Sequence, residues 1–357
     1  MKGNQRILVA PLDWGLGHAT RCIPVIRKLI EAGREVFIGG ASSSLSLLQE
    51  VFPQLHGLEL PSYDVRYPEN GNFMAAAMLK QSPRLWRTIR EEHRVLNDYV
   101  DMHRLDAVIS DNRYGLWSQR IPSVFISHQL HVQAPAFEGL IYQMQQHWIR
   151  RFTYCWVPDA AGEENLSGRL SHGQPLPSHV RYVGLLSRFT LPETTPTADP
   201  NKCLVILSGP EPQRSQLEEE LVSRLPDLNM KVTIIRGRTG TAPASSESIT
   251  WFDHLADEPF RDQIMGAGVI ICRSGYSTLM DLRILGRTAI LIPTPGQTEQ
   301  EYLAEYAAGS GSGIEVHQSD LGLGNALVAY RKLKPLKPMR PEGLQKAIEE
   351  LIRHKGL

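Results

Sequence analysis

Several features are scarce or missing in this sequence of 357 residues, and each absence excludes a class of protein. The four cysteines contain no CxxC pair, which favours free thiols in a reducing compartment over disulfide bonds. Lysine plus arginine and aspartate plus glutamate each number 38, so no excess of positive charge indicates nucleic acid as a partner. No apolar run approaches the roughly 18 residues of a membrane-spanning helix, and the apolar N-terminal stretch is shorter than a signal core. We therefore expect a cytoplasmic globular protein.

Several motifs of nucleotide and metal chemistry are also missing. The chain contains no GxxxxGK[ST] sequence and therefore no P-loop. It contains no HExxH pattern for zinc and no Asp-x-Asp pair that would hold a divalent metal against a diphosphate. We therefore expect chemistry that needs neither a metal ion nor a bound cofactor.

Two series of alternating strand-like and helix-like segments fill the chain. In the first series, an apolar run at residues 6–10 precedes a glycine-containing loop at 13–18 and an amphipathic segment at 19–31. The second series begins with the apolar run at 203–207. A proline- and threonine-rich segment, residues 191–201, separates the two series and predicts a linker.

The sequence therefore predicts an α/β protein with two doubly wound, Rossmann-like domains. Residues 1–190 form the first domain, 191–201 the linker and 202–357 the second domain. The last helix either stays with the second domain or packs back on the first. Because open parallel sheets bind ligands beyond the carboxyl ends of their strands, we expect a ligand in a central cleft that both domains face.

The glycine-containing loop is the first candidate for chemistry. Gly15 and Gly17 let the backbone approach an anion at the start of the following helix. A dinucleotide fingerprint is incomplete, because Thr20 stands at the third glycine position and two glycines stand where an acidic residue would end the second strand. The loop therefore favours anion binding over binding of NAD or FAD.

His18 follows these glycines at the start of the predicted helix. An imidazole there suits a general base that takes a proton from a hydroxyl nucleophile, and a helix cap or a phosphate contact is the alternative role. Asp111, which ends another predicted strand, is the preferred carboxylate partner, and Asp13 in the loop itself is the competitor. His128 and His131 follow a further strand and either line the acceptor side or have a structural role.

A second polar cluster follows two predicted strands of the second domain. Small residues in the turn at 274–277 leave helix N–H groups open to a diphosphate. Asp281 lies about one turn into this helix, where a carboxylate suits the two ribose hydroxyls. Glu299 and Gln300, in the next loop, suit the hydroxyls of a sugar. A helix cap or a solvated face is the alternative for each of them.

Residues 272–302 resemble the donor-binding segment of glycosyltransferase family 28, which includes the lipid-linked N-acetylglucosaminyltransferase of peptidoglycan synthesis. The family pattern runs Arg-Ser-Gly, an acidic residue on the helix, a glycine, an apolar strand that ends in proline, and a glutamine-bearing loop. The matching positions are Arg273-Ser274-Gly275, Asp281, Gly286, Pro293 and Gln300. The resemblance implies the GT-B architecture and a nucleotide-sugar donor held by the second domain.

The resemblance also implies roles for individual residues. The acidic position of the family binds ribose, which assigns Asp281, and the glutamine position contacts the donor sugar, which assigns Gln300. A glycine- and serine-rich loop corresponds to residues 208–214, where Arg214 matches a basic residue near the diphosphate, and the uracil lies near Phe252. The expected donor contacts are Gly15, Gly17, Ser208, Gly209, Arg214, Phe252, Arg273, Ser274, Gly275, Tyr276, Ser277, Asp281, Glu299 and Gln300.

The sequence departs from the family pattern at several positions. Asp281 replaces the usual glutamate, Thr288 stands where proline is common, and Glu299 stands where a basic residue is typical. Pro210 and Pro212 remove two N–H donors from the loop after the first strand of the second domain. These differences leave the identity of the sugar open.

The resemblance implies a transferase that moves a hexose-type sugar from a UDP-sugar to an acceptor hydroxyl, with inversion and without a metal. The acceptor is a glycan, a lipid-linked molecule or a small molecule. Residues 17–22 also resemble the GHxxRC signature of UDP-sugar hydrolases in nonulosonic acid synthesis, so hydrolysis is one alternative. A non-catalytic nucleotide-sugar binding protein is the other.

One segment of the first domain bears on where the protein works. Residues 146–152 mix aromatic and basic side chains, as helices at a membrane interface do. A packed helix face is the alternative interpretation. The segment therefore allows peripheral contact with the inner face of a membrane, which would matter for a lipid-linked acceptor.

Overall fold

The computed structural model describes residues 4–65, 74–131, 138–194, 196–238 and 241–354. These residues divide into two compact units. The first unit is built from the described residues of 1–66, 75–187 and 340–357, and the second mainly from those of 188–339.

Each unit contains one sheet whose strands are all parallel. The strands are β1 (Arg6–Pro11), β2 (Glu35–Gly40), β3 (His56–Glu59), β4 (Ala107–Asp111), β5 (Ser123–Ile126), β6 (Tyr154–Val157), β7 (Val180–Tyr182), β8 (Asp199–Ile206), β9 (Lys231–Ile235), β10 (Ile249–Phe252), β11 (Ala267–Cys272), β12 (Ala289–Leu291) and β13 (Gly313–Glu315). The first sheet has the order β3-β2-β1-β4-β5-β6-β7, and the second has the order β10-β9-β8-β11-β12-β13.

Helices connect and cover these strands. They are α1 (Leu16–Glu31), α2 (Ser42–Val51), α3 (Met74–His103), α4 (Glu138–Ile149), α5 (Gln213–Arg224), α6 (Asp257–Gly266), α7 (Tyr276–Ile284), α8 (Thr298–Gly309), α9 (Leu323–Tyr330) and α10 (Leu344–Arg353). Among the described residues, no helix is both long enough and apolar enough to cross a bilayer.

Apolar periodicity explains why these segments form these elements. In α1, Ile23, Ile26 and Leu29 recur at helical spacing and are fully buried. Each such side chain stabilises the fold by roughly 1.5–3 kcal/mol relative to an exposed position. Gly33, with a φ of 71°, follows the helix and lets the chain turn into β2 without steric cost. The central strands are apolar on both faces because helices cover both sides of the sheet.

The topology of the two sheets fixes where the functional loops lie. In the first sheet, the chain builds β2 and β3 on one side of β1 and then continues with β4 on its other side. The second sheet repeats this change of direction between β8 and β11. Ligand sites of doubly wound folds lie beyond the carboxyl ends of such strand pairs. The loops after β1, β4, β8 and β11 are therefore the candidate positions for a ligand site.

The two parallel-sheet units agree with the predicted fold class, and the last helix follows one of the two alternatives left open by the sequence. Strand β8 begins at Asp199, which pairs with Ala267, so the last three residues of the predicted linker belong to a strand. Residues 340–354 group with the first unit, where Glu350 forms an ion pair with Arg181 and the carbonyl of Ile352 accepts a hydrogen bond from Gln5.

Candidate functional site

His18 lies in the first turn of α1, directly beyond β1. Gly15 is the residue before the helix, and its φ of 78° is one that side chains rarely adopt. Gly15 is exposed, and a β-carbon there would meet open space, so the constraint is conformational rather than steric. The side chain of His18 is 16% exposed, which leaves it within reach of a ligand.

Asp111 ends β4, the strand that pairs with β1, and its side chain is fully buried. Its Oδ2 atom lies 3.3 Å from Nδ1 of His18. The structure therefore brings together the two residues that the sequence paired as base and carboxylate. Arg21, one turn after His18 on α1, donates from Nε to Asp111 Oδ2 at 2.6 Å and from Nη2 to Oδ1. This arginine, which the sequence interpretation did not single out as a site residue, is also buried.

Charge and burial shift the pKa values of this cluster. Burial would raise the pKa of Asp111, but the charges of Arg21 and His18 outweigh burial and lower it to about 2. Burial and the Arg21 guanidinium lower the pKa of His18, against the opposing effect of Asp111. The imidazole is therefore uncharged at neutral pH, as a proton acceptor must be.

The two histidines after β5 have different surroundings. His128 is buried, and its Nδ1 atom lies 3.3 Å from Arg21 Nη1, so it joins the cluster around Arg21. The ring of His131 stacks on Tyr142 with a centroid distance of 5.0 Å, and its backbone N–H donates to the carbonyl of Leu170. His128 is thus placed with the candidate base, whereas His131 packs against α4.

Asp13 has partners other than His18. Its carboxylate accepts hydrogen bonds from the Ser62 hydroxyl at 2.5 Å and the Tyr63 N–H at 3.2 Å, and it lies 3.6 Å from Arg113 Nη1. The structure therefore differs from the alternative in which Asp13 orients the imidazole. Asp13 ties the loop after β1 to the segment after β3 instead.

A buried network of charged side chains holds the loop after β1 in place. Arg113 donates from Nε to Glu92 Oε1 at 2.6 Å and from Nη1 to the carbonyl of Pro11 at 3.1 Å. The Tyr63 hydroxyl donates to the other oxygen of Glu92 at 2.6 Å. Burial raises the pKa of Glu92, against the opposing effect of Arg113. Because Arg113 and Asp111 lie two residues apart on one segment, the network fixes both the end of β1 and the partner of His18.

The turn after β11 begins the second candidate site. Gly275 precedes α7, and the first N–H groups of an α-helix have no partner within the helix. The Ser274 hydroxyl is buried and donates to the carbonyl of Gln300 at 2.6 Å, so this serine joins the turn to α8. The ring of Tyr276 is also buried, whereas Ser277 and Asp281 are half-buried on α7. A helix N-terminus such as that of α7 generally favours an anion through backbone N–H groups.

Arg273 does not face this site. Its guanidinium is fully buried and donates to the carbonyls of Pro293 at 3.0 Å and Gln213 at 2.9 Å and to Oε1 of Gln318 at 2.8 Å. Burial lowers the pKa of Arg273 to about 10, against a weaker opposing effect of Glu220. The residue joins three segments of the second unit, two through backbone carbonyls and one through the Gln318 side chain, which differs from the direct donor contact expected from the sequence.

Arg214 is also engaged within the protein. It donates from Nε to Glu211 at 2.7 Å and from Nη1 to Glu218 at 2.6 Å. Glu218 in turn pairs with Arg236, whose Nη1 lies 3.0 Å from Asp253. The charge of Arg214 is therefore neutralised, and the expected contact with a diphosphate would compete with these ion pairs.

The expected sugar contacts Glu299 and Gln300 lie in the first turn of α8, whereas the sequence placed them in the preceding loop. Oε1 of Gln300 accepts from the N–H of Thr294 at 3.0 Å, and its Nε2 donates to Gln297 at 2.6 Å. Gln300 thus stabilises the loop that precedes α8, and Glu299 is half-buried. The remaining expected donor residues lie at strand ends: Ser208 and Gly209 after β8, and Phe252 at the end of β10. Within the described residues, no three His, Cys, Asp or Glu side chains converge as a metal site would require.

Comparison with known proteins gives matches to sugar-transferring enzymes. The glycosyltransferase family 28 C-terminal domain model matches residues 213–354, which contain α5 to α10. An uncharacterized glycosyltransferase of Methanosarcina acetivorans is 23% identical over 334 residues, which are 86% of this chain and 82% of the relative.

Two further similarities differ in extent. A UDP-N-acetylglucosamine–N-acetylmuramyl-(pentapeptide) pyrophosphoryl-undecaprenol N-acetylglucosamine transferase of a Methylobacterium species is 36% identical over 98 residues, 28% of this chain and 24% of the relative. The crystal structure of a calicheamicin glycosyltransferase aligns with a TM-score of 0.63 at 13% identity and covers 99% of this chain and 94% of that chain. At this identity, the structural similarity is one of fold.

Proposed function

We propose that this chain, a family 28-like glycosyltransferase with the GT-B fold, transfers a hexose-type sugar from a UDP-sugar to an acceptor hydroxyl. The observation that carries the proposal is the 3.3 Å pairing of His18 with Asp111 at the carboxyl end of β4. The family match over residues 213–354 supports a donor site in the second unit, and the Methylobacterium relative is named for a UDP-sugar donor.

In the proposed donor site, the N-terminus of α7 binds the diphosphate through backbone N–H groups. The positive end of the helix dipole favours the phosphate charge. Asp281 accepts hydrogen bonds from the ribose hydroxyls, and the loop that Gln300 braces contacts the sugar. Gly209, exposed with a φ of 102°, gives close backbone approach beyond β8.

The proposed reaction is a single displacement. The acceptor oxygen forms a bond to the anomeric carbon, the bond from that carbon to the phosphate oxygen breaks, and UDP leaves with the electron pair. Nε2 of His18 takes the acceptor proton, and Asp111 stabilises the imidazolium that results. One displacement inverts the anomeric configuration. Since helix N–H groups meet the charge on UDP, we propose that no metal is needed.

Ligand binding tests the donor half of the proposal. UDP at 100 times its dissociation constant adds roughly 2.7 kcal/mol to the stability of the fold. Wild-type protein should therefore melt several degrees higher with UDP than with ADP, GDP, TDP or NAD, measured by thermal shift. Asp281→Ala should weaken the UDP shift, and Asp320→Ala, an exposed acidic residue of the same unit, should not. A shift that is equal for all nucleotides contradicts the UDP assignment.

Product release tests the catalytic half. Release of UDP from a UDP-sugar should depend on an acceptor and fall by roughly 10²–10⁴-fold in His18→Gln. Excess EDTA should leave the rate unchanged. Rapid release without an acceptor would support a hydrolase instead, and nucleotide-sugar binding without turnover would support a binding protein.

We also propose peripheral contact of the first unit with an anionic membrane. Trp86 on α3 is 38% exposed, and its ring centroid lies 5.3 Å from that of Trp148 on α4. The Arg151 guanidinium lies 4.4 Å from the Trp148 centroid and 5.0 Å from that of Trp117. Aromatic rings beside basic groups suit the headgroup region of a bilayer, and the Methylobacterium relative is named for an undecaprenol-linked acceptor.

Sedimentation with vesicles of phosphatidylglycerol and phosphatidylcholine tests this contact. Trp86→Ser should reduce the bound fraction, and salt should reduce it further, because the electrostatic part is screened. Met102→Ser is the matched control, since Met102 is an exposed apolar residue near the other end of α3. Equal binding by both variants would mean that this cluster is only a packed helix face.

A further inference from the structure

We infer that Arg21 is a positioning residue that sets the tautomer of His18, holding the imidazole with its proton on Nε2 until Arg21 withdraws from Nδ1. The inference deepens the proposed function and rests on it, because the tautomer matters for transfer only if His18 accepts the acceptor proton. The tautomer itself is a property of the folded protein and can be measured without any substrate.

The distances around Nδ1 of His18 decide which neighbour it bonds. Nη2 of Arg21 lies 2.8 Å from this atom, whereas Oδ2 of Asp111 lies 3.3 Å away. The shorter distance is ordinary for a hydrogen bond, and the longer one lies beyond the usual range. A guanidinium has donors only, so Nδ1 must accept from it and carry no proton. A neutral imidazole then carries its proton on Nε2.

The other contacts of Arg21 hold it in this position. Its Nε donates to Asp111 Oδ2 at 2.6 Å, its Nη2 donates to Oδ1, and its Nη1 lies 3.3 Å from Nδ1 of His128. The side chain is 2% exposed, so bulk water does not compete for these donors. The groups that face His18 are thus Arg21 on its own helix, Asp111 from β4 and His128 from the segment after β5, with the Cys22 thiol 3.9 Å from Oδ2.

This arrangement conflicts with base catalysis through Nε2. To take a proton, Nε2 must present a lone pair, and the imidazole proton must then lie on Nδ1 and point at Asp111. That tautomer would place two donors, Nδ1–H and Arg21 Nη2–H, against each other. Arg21 must therefore leave Nδ1 while its Nε contact keeps Asp111 ionised. Within the described residues, no hydrogen bond engages Nε2, so this nitrogen is the one that meets substrate.

Nitrogen NMR of protein labelled with 15N-histidine tests the inference. At a pH where the histidines are neutral, the unprotonated ring nitrogen resonates far downfield of the protonated one, and His18→Gln identifies the His18 signals. In wild type, Nδ1 of His18 should be the downfield nitrogen. In Arg21→Lys, which keeps the positive charge but has one side-chain nitrogen in place of three, the order of the two chemical shifts should reverse. Lys28→Gln, which removes a half-buried cation from the same helix, should leave the order unchanged.

The pH profile of kcat/KM supplies a readout that a merely structural residue would not move. Arg21 lowers the pKa of His18 and Asp111 raises it, so Arg21→Gln removes the first effect and leaves the second. The acid limb of the profile should therefore shift to higher pH in Arg21→Gln and shift little in Arg21→Lys. If Arg21→Gln does not fold, the NMR comparison of wild type with Arg21→Lys still tests whether Arg21 sets the tautomer of His18.

The outcomes separate this inference from the proposed function. A wild-type spectrum with Nε2 downfield overturns the role of Arg21, even if the enzyme transfers sugar. The role of Arg21 is also overturned if Arg21→Lys keeps the wild-type order of the two ring-nitrogen chemical shifts of His18. A reversed order in Arg21→Lys together with no transfer from any UDP-sugar would leave the inference standing and overturn the proposed function.

Discussion

At the scale of the residue, Asp111 joins the stability of the first unit to its chemistry. It is the shared partner of Arg21 and His18, and it is fully buried at the end of β4. A buried carboxylate is stable only when paired, and removing one partner of a buried pair costs about 3–5 kcal/mol. Its substitution should therefore affect stability in a pH-dependent way as well as activity.

The sign of this pH dependence follows from the direction of the shift. The pKa of Asp111 is lowered to about 2 in the folded protein, below the value of about 4 in an unfolded chain. The stabilisation is therefore complete above about pH 4 and is lost as the pH falls through 2. In urea unfolding, the difference in the free energy of unfolding between wild type and Asp111→Asn should narrow by about 2 kcal/mol from pH 5 to pH 2.

A surface carboxylate provides the control for this experiment. Asp98 is exposed on α3. The free energies of unfolding of wild type and Asp98→Asn should therefore differ little throughout the same pH range. If the difference in the free energy of unfolding between wild type and Asp111→Asn stays constant with pH, then Asp111 is not ionised beside Arg21 in the folded protein. The charge assignment of the cluster would then be wrong.

The sequence predicted part of this cluster and missed part of it. The pairing of His18 with Asp111 followed from two polar residues at the carboxyl ends of strands in one sheet. Arg21 had a usable signal, because it follows His18 by three positions and shares its helix face. Arg214 and Arg273 were assigned to the donor site because they match positions of the family pattern, but burial and internal partners are properties of the fold that no local pattern contains.

At the scale of the element, the contact between Arg113 and α3 holds the segment after β4 in place. Glu92 lies 21 positions before Arg113 in the chain, and no spacing rule links a helix residue to a loop residue at that distance. This explains why the sequence predicted the strands around the loop but not what fixes it. The contact also shows that α3 does more than cover the sheet.

Neutralising Glu92 tests the importance of this contact. In Glu92→Gln, the side chain keeps its size, but the buried Arg113 loses the carboxylate that its Nε contacts at 2.6 Å and keeps only the more distant Asp13, 3.6 Å from its Nη1. The free energy of unfolding should fall by about 3–5 kcal/mol in urea. Glu91→Gln, the exposed neighbour on the same helix, should change it by less than about 0.5 kcal/mol. Equal effects of both substitutions would argue against a structural role for the buried pair.

At the scale of the whole molecule, α10 belongs to the first unit although it follows the second along the chain. Leu344, Ile348 and Leu351 are buried on one face of this helix. Arg181 pairs with Glu350, and the Tyr154 hydroxyl lies 3.0 Å from Nδ1 of His354. The first unit therefore depends on residues beyond the second unit for part of its core.

Removal of α10 should destabilise one unit and spare the other. A chain that ends at residue 340 loses four buried apolar side chains, and the three large ones, Leu344, Ile348 and Leu351, each contribute roughly 1.5–3 kcal/mol. Hydrogen exchange should then accelerate in β1 and β6 of the first unit, while β8 and β11 of the second keep their protection. Uniform acceleration in both units would contradict an assignment of α10 to the first unit alone.

The return of α10 also has a consequence for synthesis on the ribosome. Residues 188–339 form a continuous stretch of chain, so the second unit can complete its core soon after these residues emerge. The first unit starts earlier but must wait for residues 344–353, which are made after the second unit. The first unit therefore begins to be synthesised before the second unit but completes its fold after it. During translation, its incomplete surface would be exposed to chaperones for longer than that of the second unit.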